Sequence, residues 1–269
     1  MNAASHLAEL QQRRWARPTV AIARRFFEIS GLDLGCFIAV ELFTTILPIL
    51  LIGYGRLNNF SHDVSIGQLF VDMVGANGRD AARILREFGK ASGIQQTWTL
   101  FGVAGFLVWG IPMSLTVCRM YAAAWKHPQH SAMQRMWRGA IWFLVYLVVA
   151  GVNEKLLHTS HNPALRITLT VAAVGLSSAF WGFTPALLVP GIRLSKRLIV
   201  EAGLIGALVH IVILRFVVRA VFPLLLNGWD GFGPVGVALT IMTWCGALGI
   251  VWVAVACAGA VISERTWHT

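Results

Sequence analysis

Six stretches of this chain, roughly 35–54, 97–119, 139–157, 166–190, 199–225 and 234–262, are almost continuously apolar. Each runs for about 20 residues or more, which at ~1.5 Å per residue reaches across a hydrocarbon core of ~30 Å. In lipid the backbone must satisfy its own hydrogen bonds, so runs like these fold as helices. A barrel would need shorter segments of alternating hydrophobicity, and these runs do not alternate. The expectation is an all-α, polytopic membrane protein with six transmembrane helices, the longer ones tilted or kinked. Composition agrees. Hydrophobic residues make up 57% and charged residues 13% of the 269, and mean hydropathy is +0.67. A soluble domain carries about 25% charge.

The net charge of +10 would suggest nucleic acid in a soluble protein. Here it reads as membrane orientation and anionic headgroups. With the N-terminus in the cytoplasm, the majority of the 22 Lys and Arg fall in inner segments, so both termini are expected inside. Residues 1–34 read as a cytoplasmic, interfacial amphipathic segment, 35–262 as the transmembrane domain and 263–269 as a cytoplasmic tail. The start, MNAASHLAELQQRRWARPTVAIARR, lacks the short apolar core and small-residue cleavage site of a signal peptide. Within 7–29, Trp15, Ile22, Phe26 and Ile29 lie among five arginines, as in a helix on the headgroups. In the first outer loop, Ala81, Ile84, Leu85 and Phe88 follow helical spacing with charges opposite, predicting an amphipathic helix within 78–93.

Pro48, Pro112, Pro185 and Pro223 fall inside the runs and are expected to kink them. Cys36, Cys118, Cys245 and Cys257 are far apart, form no CxxC and read as reduced packing residues. HPQH (127–130) and HTSH (158–161) are the best metal-ligand candidates, but the topology puts them on opposite membrane faces. No Walker loop, GxSxG or HExxH occurs. Trp98, Trp137 and Trp229 fall near span ends, where aromatic belts form. Trp142, Trp181 and Trp252 read as packing or lipid-facing.

Ionisable residues within spans are costly and normally face the protein interior with a partner. Those here are Glu41, Glu154, His210, Arg215 and Arg219. By helical rise, Glu41 sits ~9 Å and His210 ~16 Å from their cytoplasmic ends, so the two can pair; Glu41 can instead be protonated and bond Thr44, Thr45 or a neighbouring helix. Glu154 and Arg215 fall at one level, ~23 Å in. Arg219, four residues on, shares a face with Arg215. Two readings stay open. In one, these five residues line a path for an anionic lipid, with His210 able to couple protons. In the other, Glu154–Arg215 is a structural pair, Arg219 snorkels and Glu41 is a packing residue.

GALVHIVILRFVVRAVFP (206–223) followed by FGPVGVALTIMTWCGALGIVWVAVACAGAVISE (232–264) resembles the end of the YihY/BrkB family of inner-membrane proteins. The shared elements are late basic residues in one helix, then Phe232, Gly233, Gly236 and Gly259-Ala260 in the last. AVELFTTILPILLIGYG (39–55) and TWTLFGVAGFLVWGIPMSLTVCRMYAAAW (97–125) resemble that family's first and second spans. Val261 departs from the pattern, since many relatives carry an acid there. The resemblance implies six spans and a role in envelope integrity, with some relatives linked to lipid export and the family once labelled ribonucleases. The expectation is therefore a non-enzymatic protein of the bacterial inner membrane, without metal or cofactor. It would act as a transporter or flippase-like handler of anionic envelope lipids, or else as a scaffold binding lipid or partner proteins. Expected partners are membrane lipids and not nucleic acid, with a homo-oligomer left open.

Overall fold

The last apolar run has no polar face, so every side of it must be covered by protein or lipid. It forms one 34-residue helix, Gly233–Thr266, and the rest of the chain is arranged around it. The computed structural model describes residues 16–57, 71, 78–88, 105, 108, 110–158, 163–192, 195–216, 220–228 and 230–266. At 16, 47–57, 83, 87–88, 154, 158, 213–215, 230, 233–234 and 265–266 it describes the backbone alone. The described elements are helices: α1 (Ala16–Glu28), α2 (Gly31–Leu57), α3 (Arg79–Phe88), α4 (Ile111–Ala124), α5 (Ala132–His158), α6 (Pro163–Leu188), α7 (Lys196–Phe216), α8 (Phe222–Gly228), a 3₁₀ turn (Asp230–Phe232) and α9 (Gly233–Thr266).

α9 packs along α2, α4 and α7 and also meets α1, α3 and α8. α4 and α7 connect it to α5 and α6, which pack on each other. Cys245, Leu248, Trp252, Val253 and Cys257 of α9 are buried, and the four cysteines are free thiols, with Cys36 exposed. Among the described residues, three helices are long and apolar enough to cross a membrane: Ala132–Leu157, Pro163–Leu188 and Val235–Glu264. A fourth span results if α1 and α2, bent by 67° at their junction, count as one. The bend is made by Ser30, whose φ of 52° lies in the left-handed region.

Exposure is inverted relative to a soluble bundle. Ile141, Leu144, Val145, Val148 and Val152 form an outward apolar stripe on α5 at 41–65% exposure, with Val148 the most exposed. A contiguous apolar face of this kind is one that lipid or another protein surface covers.

Pro112 lies in the first α-helical turn of α4 and Pro223 in that of α8. π-Helical residues stand just before each, at 108 and 110 and at 220 and 221. A proline beside a π-turn is a usual place for a helix to change direction. The fifth run, expected as one span over 199–225, contains α7 and α8, with residues 217–219 between them outside the description. Pro185 does sit inside α6. The second span, expected over 97–119, falls largely outside the described residues up to Gly110.

Glycines set the crossings. A Cβ on Gly249 of α9 would lie 2.3 Å from the backbone oxygen of Gly35 on α2. One on Gly203 of α7 would lie 2.3 Å from the oxygen of Ser178 on α6. One on Gly139 of α5 would lie 2.4 Å from the oxygen of Ser114 on α4. Small residues allow such backbone approach in membranes, where dispersion and weak polar contacts replace the hydrophobic drive.

Candidate functional site

Helices that cross this closely bring polar side chains from different runs together. Glu41 lies six residues beyond the Gly35 crossing on α2 and meets α4. Thr116 Oγ1 donates to Glu41 Oε1 at 2.8 Å. Arg119, three residues on and hence on the same side of α4, acts electrostatically on the carboxylate. Glu41 Oε2 is buried without a hydrogen-bond partner among the described residues. The Thr44 and Thr45 hydroxyls bond the Glu41 backbone oxygen, not its carboxylate. Glu41 therefore takes a neighbouring-helix partner. Arg119 could have been found from sequence, because it and Glu41 both lie near the inner ends of their spans.

His210 sits elsewhere, in an aromatic centre built by α5, α6, α7 and α9. Its ring lies 5.6 Å from Tyr146 and 5.4 Å from Trp181, centroid to centroid. Trp252 stands edge-on to Trp142 at 5.0 Å and to Tyr146 at 4.9 Å. Such rings fill volume and prefer edge-to-face contact. His210 Nδ1 is buried without a partner among the described residues. Glu41 and His210 thus have separate surroundings and form no ion pair. Polar bonds hold the α5–α6 seam: Trp142 Nε1 donates to Thr184 Oγ1 at 3.1 Å, and Asn153 Nδ2 to Ser177 Oγ at 2.7 Å. The side chains of Glu154 and Arg215, and Arg219 altogether, lie outside the described residues.

One end of the bundle carries a second polar cluster. Arg25 of α1 is only 6% exposed. Its Nη1 donates to the Ala124 oxygen at 2.7 Å, its Nη2 pairs with Glu264, and its Nε lies 3.7 Å from Glu28. Lys126 lies 3.8 Å from the same Glu28. Arg25 was grouped by its sequence with headgroup-facing arginines; it is instead buried and joins α1 to the ends of α4 and α9. The helix periodicity of 7–29 puts it beside Phe26 and Ile29, and only the docking of α1 on α9 reveals its partners. His127 and His130 lie in the loop that follows α4, and among the described residues no group of three His, Cys, Asp or Glu gathers as a metal site. His161 lies outside the description.

The Glu41 site yields a stability prediction. Thr116→Val is expected to cost about 0.5–1.5 kcal/mol, the scale of an interhelical bond in a membrane protein. Glu41→Gln keeps an oxygen that accepts from Thr116 and is expected to stay within about 0.5 kcal/mol of the parent, since one hydrogen bond is retained. Thermal unfolding in detergent micelles measures both. A loss in Glu41→Gln equal to that in Thr116→Val would transfer the weight of the site to Arg119.

Comparison with protein-family profiles, with curated proteins and with solved structures gives no match for this chain.

Proposed function

We propose that this is a six-span protein of the bacterial inner membrane, of the YihY/BrkB kind, with both termini in the cytoplasm. It binds anionic envelope lipids from its membrane-facing side, as a non-enzymatic lipid-binding scaffold. The observation that carries this reading is the packing: an apolar stripe faces outward on α5 while rings occupy the middle of the bundle. Arg24, Arg25, Lys126, Arg135, Arg138, Lys196 and Arg197 cluster at the end where α4, α6 and α9 finish. That density of cations suits a cytoplasmic leaflet, whose anionic lipids attract them at ~1 kcal/mol per basic residue near the surface.

A second reading, a flippase-like transporter without ATP hydrolysis of its own, is favoured by the unpartnered Glu41 Oε2 and His210 Nδ1. Buried polar atoms of this kind can mark a path for ions or headgroups. Their separate surroundings favour the scaffold. Purified protein in sealed vesicles, with fluorescent phosphatidylglycerol or phosphatidylcholine, separates the two. The expected result is preferential retention of phosphatidylglycerol on the protein, with lipid movement between leaflets no faster than in empty vesicles. Protein-dependent movement that falls in folded Glu41→Gln would replace the scaffold by the transporter.

A further inference from the structure

We infer that the seam between α5 and α6 is a docking site for one acyl chain of an anionic phospholipid, with the headgroup held at Arg138. This names the site for the lipid-binding reading and rests on it.

The seam is not flush. Val145 and Val149 of α5 and Leu176, Phe180, Phe183 and Leu187 of α6 line a lateral groove of about 300 Å³. Leu176 and Leu187 are eleven residues apart, or ~16 Å along the helix, close to half of a ~30 Å hydrocarbon core. The groove offers a polar ligand little. Its one hydroxyl, on Thr184, donates to the Phe180 oxygen at 2.8 Å and accepts from Trp142. A groove of this lining and length, opening toward lipid past Val145 and Phe183 (43% and 54% exposed), matches an alkyl chain.

Charge at one end selects among lipids. Arg138 lies one turn before Trp142, and its Nη1 donates to the Leu187 oxygen at 3.0 Å. Leu187 itself lines the groove. The bond satisfies a carbonyl at the end of α6, which would otherwise lack an intrahelical partner. It also fixes a half-buried guanidinium where the groove meets the basic end of the bundle. One bond uses one of five N–H donors, and the planar fork suits a phosphate. A chain in the groove and a phosphate at Arg138 are the two ends of one phospholipid.

The test uses the full chain in nanodiscs containing phosphatidylglycerol or phosphatidylcholine with a photoactivatable diazirine on one acyl chain, and maps adducts by peptide mass spectrometry. Adducts are expected on the groove-lining stretches of α5 and α6, with a preference for phosphatidylglycerol of about fivefold, the scale of one basic residue near an anionic headgroup. Arg138→Gln, whose amide can still donate to Leu187, is expected to lower that preference to about one. Ala179→Trp, which fills the exposed groove and leaves Arg138 in place, is expected to reduce seam adducts to the level of the other lipid-facing helices. Selective phosphatidylglycerol adducts on other helices would overturn the groove while leaving lipid binding intact. No headgroup preference anywhere on the protein would overturn both. Absence of lipid adducts on this face, with native mass spectrometry showing two copies per nanodisc that Ala179→Trp separates, would make it a contact between copies and also overturn the site.

Discussion

Gly249→Leu is expected to stop the chain from forming a stable bundle, and even Gly249→Ala is expected to cost about 1–3 kcal/mol, the range for overpacking a tight interior. A Cβ at this position lies 2.3 Å from the Gly35 backbone oxygen and 3.1 Å from its carbonyl carbon. Both obstructing atoms are main chain, so no rotamer change relieves the clash. α2 and α9 must move apart along their whole contact, which loosens Ile38, Leu42, Leu248 and Trp252 together. Gly246 provides the control. It sits three residues earlier on the same helix with nothing within 4 Å of its Cβ position. Gly246→Ala is expected to gain about 0.5–1 kcal/mol from reduced backbone entropy. Thermal unfolding in micelles reads both shifts. Equal behaviour of the two variants would mean that the α2–α9 crossing is looser than described.

Removing both counter-charges of Arg25, as in Glu28→Gln with Glu264→Gln, is expected to cost about 3 kcal/mol, toward the low end for stranding a buried charge. The guanidinium would stay enclosed with neutral acceptors alone, the Ala124 oxygen and the two amide oxygens, and with no counter-charge. Glu264→Gln alone is expected to cost about half as much, because Glu28 remains. The glutamates are 38% and 52% exposed, which holds the figure below that of a fully buried network. Arg197–Glu201, an exposed pair on α7 at 63% and 41%, is the contrast. Arg197→Ala is expected to change stability by less than about 0.5 kcal/mol. Protease cleavage within α1 gives a second readout: the double variant is expected to be cut faster after α1 detaches from α9, with the other helices unchanged. Loss no greater than that of Arg197→Ala would show that α1 is held by Phe26 and Ile22 and not by Arg25.

Hydrophobicity alone made the apolar helices legible, because a run long enough to span lipid has few other ways to satisfy its backbone. α5 and α9 contain the runs expected at 139–157 and 234–262, α6 covers most of the run expected at 166–190, and a helix forms at Arg79–Phe88 where the i, i+3, i+4 spacing places it. Pro112 and Pro223 were visible as helix punctuation, but the π-helical residues at 108, 110, 220 and 221 that stand before them were not, because the register of backbone hydrogen bonds cannot be read from a linear string. Of the candidate charges, Glu41 was legible as a residue in need of a neighbour, but depth along the span pointed to His210, whereas its partner is Thr116 of α4. Which helix depended on the α2–α4 crossing. The same limit hid Arg25. Its five-arginine setting looks like a solvated face, and its burial follows from α1 folding back against α9.

The amino-acid sequence by itself determined that this is an all-helical chain with apolar helices and a strongly basic balance, since period, length and charge are properties of local composition. Tertiary structure decided that Gly249 carries a crossing, that Arg25 is buried, that His210 sits among rings while Glu41 meets Thr116, and that a groove between α5 and α6 ends at Arg138. Each of these depends on residues far apart in the chain being brought within a few ångströms, and that is set by how helix surfaces fit against one another.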